Sequence, residues 1–224
     1  IQPQPSPGVA QQLADAGLDL HGDTMEEQLG GAAFRIRPSS FFQTNTAQAE
    51  KMLSMVVRGL LEGVDEETRE QQRQAATLVD AYCGVGTFSR ILARYASKII
   101  AIEESPSAIR DAQWNLQGLD NVQILKGKVE EVLPALAEHI DGLVIDPPRA
   151  GCQRVVLDAL LAHPVRRIVY VSCDPSTLAR DLDILCHPTH SINSTYRLRS
   201  VQPLDMFPQT AHIECVAVLE QHYL

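Results

Sequence analysis

The stretch "TLVDAYCGVGTF", from Thr77 to Phe88, joins a short apolar run to two closely spaced glycines and then to a segment of helical character. Gly84 and Gly86 allow the backbone to turn tightly between strand and helix and to pass close to a ligand. Two glycines at this spacing also occur in ordinary strand-to-helix turns, so the pair alone is a weak signal. The rest of the chain has to show whether a parallel sheet surrounds this turn.

The alternation that begins at Thr77 continues along the chain. Four more apolar runs, each followed by a segment of helical character, are "KIIAIEES", "VQILKG", "GLVIDPP" and "RIVYVSC". Strands that alternate with helices predict a parallel sheet covered by helices on both faces. The chain then closes with two strand-like runs and no helix between them, so at least one of these is expected to be antiparallel. The sequence therefore predicts an α/β fold with a mostly parallel sheet and an antiparallel C-terminal strand.

The region before this alternation differs in character. Pro and Gly interrupt it, and "DTMEEQLGGAAFRIRPSS" is typical of a strand pair that turns at Gly30 and Gly31. A helical pattern of apolar residues follows from Thr44 to Leu61. We predict that residues 1–35 are the tail of a preceding domain or a linker, and that residues 36–224 form one α/β domain.

Composition narrows the functional classes. The five cysteines are scattered and form no CxxC pair, which argues against a disulfide framework, a zinc site and an iron–sulfur site. No apolar run approaches the roughly 20 residues that cross a bilayer. The formal net charge of -9 is unusual for a nucleic-acid binder, so any affinity for RNA has to come from a local patch. We expect a cytoplasmic monomer, or an organellar protein if a leader precedes its start.

Parallel sheets bind ligands beyond the carboxyl ends of their strands, and polar residues of this chain collect there. Glu103 ends the strand after the glycine turn, where a carboxylate can accept hydrogen bonds from both hydroxyls of a ribose. A dinucleotide fingerprint would place glycine at position 89, which is Ser89, and no second glycine turn follows. The pattern favours a pocket for one nucleoside without a pyrophosphate, such as S-adenosylmethionine.

Two further strand ends carry reactive groups. Asp146 precedes two prolines, which remove backbone donors and stiffen the chain, so its carboxylate is expected at the rim of the ligand pocket. Cys173 is followed by Asp174 and Pro175, which suit a helix N-cap and a first helical residue. The partial positive charge of a helix N-terminus favours a thiolate, which makes Cys173 a candidate nucleophile. The other four cysteines are interpreted as buried apolar residues.

Glu214 stands near the start of the final apolar strand, and two interpretations of it remain open. Its carboxylate is either exposed on one face of the sheet or drawn toward the ligand pocket. In the second case, loss of surrounding water would raise the pKa of the carboxyl and suit it to act as a general base.

Six stretches of the chain match one known group of enzymes: "SFFQTN", "DAYCGVGTF", "AIEES", "DPPRAG", "VSCDPSTLARD" and "DMFPQTAHIE". On these stretches, which span most of residues 40–220, the chain resembles the RNA uracil-5 methyltransferases. Those enzymes use S-adenosylmethionine to form 5-methyluridine in tRNA or rRNA. The resemblance implies a Rossmann-like class I methyltransferase fold, with residues 36–224 as the catalytic domain.

The resemblance also implies roles for particular residues. Cys173 would be the nucleophile that adds to carbon 6 of a uracil, and Glu214 would be the base that removes the proton from carbon 5. An RNA substrate is the expected partner, and the reaction requires neither a metal nor a membrane. The residues expected to contact S-adenosylmethionine are Gln43, Tyr82, Gly84, Glu103 and Asp146.

Other functions fit parts of the pattern. A methyltransferase acting on a base nitrogen or a small molecule would use "DPPR" to hold its target and would not need Cys173. A fragment of this family could also hold S-adenosylmethionine or RNA without chemistry. A nicotinamide-dependent oxidoreductase is disfavoured by Ser89. Full-length family members usually carry RNA-binding parts ahead of this domain, and some hold an iron–sulfur cluster on four cysteines; this sequence shows neither.

Overall fold

The computed structural model describes residues 24–37, 40–43, 45–61, 75–187 and 194–223. Within these ranges the chain forms a two-stranded hairpin and a seven-stranded mixed sheet with helices between its strands. No helix in the described part of the chain is long and apolar enough to cross a membrane. Most of the predicted N-terminal tail, residues 1–23, lies outside the described ranges.

The hairpin consists of strands β1 (Met25–Leu29) and β2 (Ala32–Ile36), which pair antiparallel. It turns at Gly30 and Gly31, as the sequence predicted. These glycines have φ angles of 59° and 73°, a conformation that residues with a side chain rarely adopt. The pair of glycines therefore explains the tight connection between the two strands.

The main sheet contains β3 (Thr77–Ala81), β4 (Lys98–Glu103), β5 (Val122–Lys126), β6 (Gly142–Ile145), β7 (Arg167–Ser172), β8 (Ser194–Leu204) and β9 (Glu214–Tyr223). The order across the sheet is β5-β4-β3-β6-β7-β9-β8. Neighbouring strands from β5 to β7 are parallel, whereas β9 runs antiparallel to both β7 and β8. The predicted mostly parallel sheet with an antiparallel C-terminal strand is confirmed. Because β9 is reversed, its first residue lies at the edge where the parallel strands end.

The described helices are α1 (Thr46–Leu61), α2 (Thr87–Leu92), α3 (Pro106–Asn115), α4 (Val129–Val132), α5 (Arg154–Ala162) and α6 (Pro175–Cys186). Helix α1 lies within the helical pattern that the sequence predicted. Helices α3 and α6 both begin with proline, whose missing N–H would have no helical partner at that position. Each helix from α2 to α6 begins shortly after a strand of the parallel part of the sheet, so its N-terminus lies near the ligand-binding edge.

The two faces of the sheet bury separate apolar clusters. One cluster contains residues of α1, α2 and the hairpin, and the other contains residues of α5 and α6. Helices on both faces are therefore confirmed. Phe34 and Ile36 of β2 belong to the first cluster, with Phe34 fully buried. The hairpin thus packs against the sheet and helices of this domain. Strand β2 runs across the boundary predicted between residues 35 and 36, and the position of that boundary stays a prediction.

Candidate active site

Several of the predicted site residues lie at the ends of strands along one edge of the sheet. Asp146 directly follows β6, and Cys173 directly follows its parallel neighbour β7. Cys215 of β9 pairs with Ser172 of β7 in the last pair of this antiparallel ladder, so Cys173 and Glu214 are the next residues along the two chains. The carboxylate of Glu214 is close enough to raise the thiol pKa of Cys173. The predicted nucleophile and the predicted base are therefore neighbours.

The glycine turn after β3 leaves space for a ligand. Tyr82, Gly84 and Gly86 have φ angles of 63°, 55° and 86°. Positive φ is unusual for a tyrosine, and residues in such strained conformations cluster at binding sites. A Cβ atom on Gly84 would meet no atom of the described residues within 4 Å, so these residues leave open space over this glycine. The Tyr82 hydroxyl donates a hydrogen bond to Oε1 of Glu130 at 2.8 Å, which holds its ring in place.

Two of the predicted ligand residues have unused acceptor capacity. The Glu103 carboxylate accepts backbone hydrogen bonds from Gly84 at 2.9 Å and from Ser105 at 2.7 Å, one on each oxygen. Each oxygen keeps a second lone pair, so this fixed carboxylate can still accept from the hydroxyls of a ligand. Oε1 of Gln43 is buried and has no hydrogen-bond partner among the described residues. A buried acceptor without a partner is costly, and a ligand that donates to it would remove that cost.

Two hydrogen bonds that sequence reasoning missed explain why a serine, and not a glycine, stands at position 89. Its hydroxyl and its backbone N–H both donate to Oδ2 of Asp80, at 2.5 Å and 2.8 Å. Asp80 is fully buried in β3, and burial raises the pKa of its carboxyl to about 7. A glycine at position 89, as in a dinucleotide fingerprint, would remove the hydroxyl donor. The serine is therefore a partner for a buried acid next to the glycine turn.

The helix start after Cys173 has the predicted form. Asp174 caps α6 by accepting hydrogen bonds from the backbone N–H groups of Ser176 and Thr177. Pro175 is the first residue of the helix. These interactions fix the backbone immediately after the cysteine.

The thiol pKa of Cys173 nevertheless moves in the direction opposite to the expected one. Burial raises this pKa, and the carboxylates of Glu214 and Asp146 raise it further. A backbone N–H and the charge of Arg149 lower it by less. The prediction that the helix terminus favours a thiolate at Cys173 is therefore wrong, because partial burial and two nearby acids favour the thiol.

Glu214 is buried, which decides between its two interpretations. Glu214 is only 3% exposed, and this burial raises the pKa of its carboxyl to about 7. The pKa of Asp146 is also raised, first by burial and then by the charges of Glu214 and Asp80. A cationic ligand at this edge would stabilise the ionised forms of these acids. The described residues contain no group of three or more His, Cys, Asp or Glu side chains that could hold a metal ion.

Asp181, which sequence reasoning missed, connects the loop after β6 and strand β7 to helix α6. This fully buried residue of α6 accepts hydrogen bonds on Oδ2 from the backbone N–H of Cys152 at 2.8 Å and from the Tyr170 hydroxyl at 2.6 Å. Gly151 has a φ of 78°, and a Cβ atom on it would lie 2.6 Å from the same oxygen. The loop after β6 is therefore held tightly against α6. The sequence shows Gly151 in "DPPRAG", but it does not show that this glycine packs against Asp181.

The raised carboxyl pKa values predict a stability that falls as pH rises. An unfolded glutamate titrates at about 4.3, whereas Glu214 in the folded chain has a pKa of about 7. Between these values the folded chain binds more protons than the unfolded chain, so the free energy of unfolding decreases with rising pH. We expect Glu214→Gln to raise the free energy of unfolding at pH 8 by on the order of 1–3 kcal/mol, and by much less at pH 5. Urea denaturation at the two pH values measures this difference.

The matched control for this measurement is Glu50→Gln, at an exposed carboxylate of α1. This variant should show the same dependence of stability on pH as the unchanged protein, because its side chain stays in water. An equal gain in stability at pH 5 and pH 8 for Glu214→Gln would contradict the raised pKa.

Comparisons with known proteins give the chain relatives among RNA methyltransferases. The family model for tRNA (uracil-5-)-methyltransferase matches residues 17–222. An uncharacterized RNA methyltransferase of Gloeobacter violaceus is 45% identical over 201 residues, which are 89% of this chain and 40% of the relative. One of Thermosynechococcus vestitus is 43% identical over 195 residues, which are 86% of this chain and 40% of the relative. The chain thus spans 40% of the length of these curated relatives.

Solved structures share the fold. Pyrococcus abyssi tRNA (uracil-54, C5)-methyltransferase, solved in complex with S-adenosyl-L-homocysteine, matches with a TM-score of 0.71 at 32% identity. The match covers 88% of this chain and 44% of that chain. Trm5b of the same organism matches with a TM-score of 0.65 at 12% identity, over 89% of this chain and 56% of its own, and shows likeness of fold alone. The Rossmann-like methyltransferase fold is confirmed.

Proposed function

This chain belongs to the tRNA (uracil-5-)-methyltransferase family, and from that premise we propose that residues 36–224 are the catalytic domain of an enzyme that methylates carbon 5 of a uridine in RNA. The methyl donor would be S-adenosylmethionine. The observation that carries the proposal is the placement of Cys173 close to Glu214 at the ligand-binding edge of the sheet. Methylation at carbon 5 needs both a nucleophile and a base, whereas methylation of a nitrogen needs no thiol.

The site fits S-adenosylmethionine on three observations. Within the described ranges, the buried Oε1 of Gln43 lacks a donor and open space lies over Gly84. The fixed Glu103 carboxylate suits the two hydroxyls of a ribose. S-adenosylmethionine would supply an activated methyl group and, on its sulfonium, a positive charge that suits the acids at this edge. The residues proposed to hold it are Gln43, Tyr82, Gly84, Glu103 and Asp146.

Carbon 5 of uracil is a poor nucleophile, and Cys173 would change that. The thiolate forms a bond to carbon 6, and the electrons of the carbon 5–carbon 6 double bond move toward the carbonyl at carbon 4 to give an enolate. The enolate carries negative charge on carbon 5, which would form the bond to the methyl group as the bond between that methyl and the sulfonium sulfur breaks and leaves a neutral thioether, S-adenosylhomocysteine. Because its pKa is raised, the Cys173 thiol has to give its proton to water as the substrates bind, and a positive charge beside Asp146 and Glu214 would favour that transfer.

Glu214 would complete the reaction. After methylation, carbon 5 carries both the methyl group and its original hydrogen. The Glu214 carboxylate takes this hydrogen as a proton, the double bond re-forms, and the carbon–sulfur bond breaks to release the thiolate. Its pKa of about 7 gives the carboxylate the basicity of a general base that works near neutral pH.

The proposed substrate is a uridine in tRNA or rRNA. The base has to leave the stack of its neighbours before carbon 6 can reach a thiol at the edge of the sheet. The formal net charge of -9 gives this chain little overall attraction for the phosphate backbone. We therefore expect this chain alone to bind RNA weakly, and assays should use RNA at high concentration and low salt.

Methyl transfer to defined RNA tests the proposal. The protein is incubated with S-adenosylmethionine labelled in its methyl group and with unmodified tRNA and rRNA transcripts, and we expect the label in 5-methyluridine after digestion to nucleosides and mass spectrometry. The matched control is the same transcript made with 5-methyluridine in place of uridine, which should accept no label. Label on a base nitrogen, or in the control transcript, would indicate the alternative methyltransferase. Cofactor binding without any transfer would indicate a binding domain.

A further inference from the structure

Gln43 lies in a segment that has contacts on both of its sides. The segment comprises Ser40–Gln43 and Asn45, just before α1. On one side, Nδ2 of Asn45 donates to the backbone carbonyl of Met206, in the loop that leads to β9. On the other side, the chain entering the segment contacts α3, the helix that follows Glu103. Gln43, whose buried Oε1 has no partner among the described residues, therefore lies in a segment that contacts both the loop before β9 and helix α3.

The contact with α3 centres on Asp111, which is 1% exposed. Its Oδ2 accepts a hydrogen bond from the backbone N–H of Arg37 at 3.0 Å and from the Ser40 hydroxyl at 2.6 Å. Its Oδ1 accepts from Nη1 of the Arg37 guanidinium at 2.5 Å. Buried carboxylates are costly unless paired and hydrogen-bonded, and three donors at one carboxylate hold the backbone firmly.

A second residue of α3 strengthens this contact one turn later. Asn115 accepts from the backbone N–H of Arg35 at 2.7 Å and donates to the backbone carbonyl of Arg35 at 3.0 Å. It also donates to the carbonyl of Val85 at 2.9 Å, between the two glycines of the turn. Helix α3 is therefore the common support of the glycine turn and of the chain that leads to Gln43.

We propose that Asp111 is a positioning residue for the cofactor: it holds Arg37 and Ser40 so that Gln43 keeps the place in which its Oε1 meets a donor of the ligand. This inference rests on the proposed function, because it takes Gln43 as a ligand of S-adenosylmethionine. A glutamine side chain loses considerable rotamer freedom when it is ordered. Asp111 contributes by fixing the backbone before the ligand arrives, which lowers the ordering cost at binding.

Calorimetric titration with S-adenosylhomocysteine tests the proposal on the whole chain. Gln43→Ala and Asp111→Ala should each weaken binding by about 10-fold, the effect of losing one good hydrogen bond to the ligand. The double variant should be weakened by about the same factor as Gln43→Ala alone, because Asp111 acts through Gln43. The matched control is Asp158→Ala, at an exposed carboxylate paired with Arg154 on α5, which should bind as the unchanged protein does.

Ser40→Ala is the second variant, because removal of the buried Asp111 carboxylate could prevent folding. It deletes one hydrogen bond to Asp111 and should weaken binding by about 3-fold, again with no further loss in the Gln43→Ala background. Independent effects, about 100-fold for Asp111→Ala with Gln43→Ala or about 30-fold for Ser40→Ala with Gln43→Ala, would overturn the inference while the proposed function stands. Unchanged affinity of Ser40→Ala and of Asp111→Ala would do the same. Failure of the unchanged protein to bind S-adenosylhomocysteine would overturn both.

Discussion

Replacing Cys173 by alanine is expected to abolish the covalent complex between this protein and RNA that contains 5-fluorouridine, and to lower the rate of methyl transfer by at least about 10⁴-fold. Cys173 directly follows β7, close to Glu214 at the start of β9. In the proposed reaction, a base drawn out of its stack would meet both groups there. Without the bond from sulfur to carbon 6, carbon 5 stays a poor nucleophile. The remaining binding contacts position the reactants but do not create the enolate.

The measurement relies on fluorine at carbon 5. Fluorine cannot leave as a proton does, so the reaction stops after methyl transfer with the thiol still bound to carbon 6. The protein is incubated with S-adenosylmethionine and the fluorinated RNA, and the covalent complex is seen as a slower band on a denaturing gel. We expect this band for the unchanged protein and its absence for Cys173→Ala.

Cys186→Ala is the control for this experiment. Cys186 ends α6, the same helix that starts beside Cys173, and a helix of 12 residues places it about 18 Å away. This variant should form the complex as the unchanged protein does. A complex formed by Cys173→Ala, or none formed by the unchanged protein while a full-length family member forms one, would remove Cys173 from the role of nucleophile in this chain.

Replacing Glu214 by glutamine should stop the reaction one step later. Glutamine has a similar shape but no basic carboxylate, so the proton on carbon 5 stays and the carbon–sulfur bond cannot break. We expect methyl transfer within the first turnover, followed by accumulation of methylated RNA bound to Cys173, and a fall in kcat of about 10²–10⁴-fold. Ordinary uridine-containing RNA suffices, because the variant itself traps the intermediate.

Radioactive methyl label distinguishes this outcome from a general loss of activity. In Glu214→Gln the label should enter a protein–RNA band on a denaturing gel, whereas the unchanged protein should release labelled free RNA. Glu220→Gln, at the other end of β9 and paired with Arg167 and Arg199, is the matched control and should release RNA normally. Normal turnover by Glu214→Gln would show that its buried carboxyl serves the structure only.

The sequence predicted those parts of the site that depend on neighbouring residues. The glycine turn before α2 and the cap of Asp174 on α6 follow from backbone preferences that act over a few positions. The order of strands and helices follows from the periodicity of apolar residues. In each case the interacting groups are close along the chain, so the pattern and the structure agree.

Predictions that depended on distant neighbours were incomplete or wrong. Ser89 donates to Asp80, and Asp181 accepts from Cys152 and Tyr170 as well as from its neighbour Arg180. No sequence pattern joins Ser89 to Asp80, or Asp181 to Cys152 and Tyr170, since these contacts form only when helices pack against strands. The pKa of Cys173 was predicted from the helix that follows it, but burial, and after it the charges of Glu214 and Asp146, raise this pKa instead.

Local sequence was therefore enough for the parallel sheet, for the glycine turn after β3 and for the position of Cys173 directly after a strand, because these features depend on the periodicity and turn preferences of adjacent residues. Folding decided that Cys173 lies close to Glu214, because the antiparallel pairing of β7 with β9 ends one residue before them. It also decided that Glu214 is buried with a raised pKa and that Asp111 supports the segment of Gln43. These properties arise from strand register, burial and charges that only the packed chain brings together.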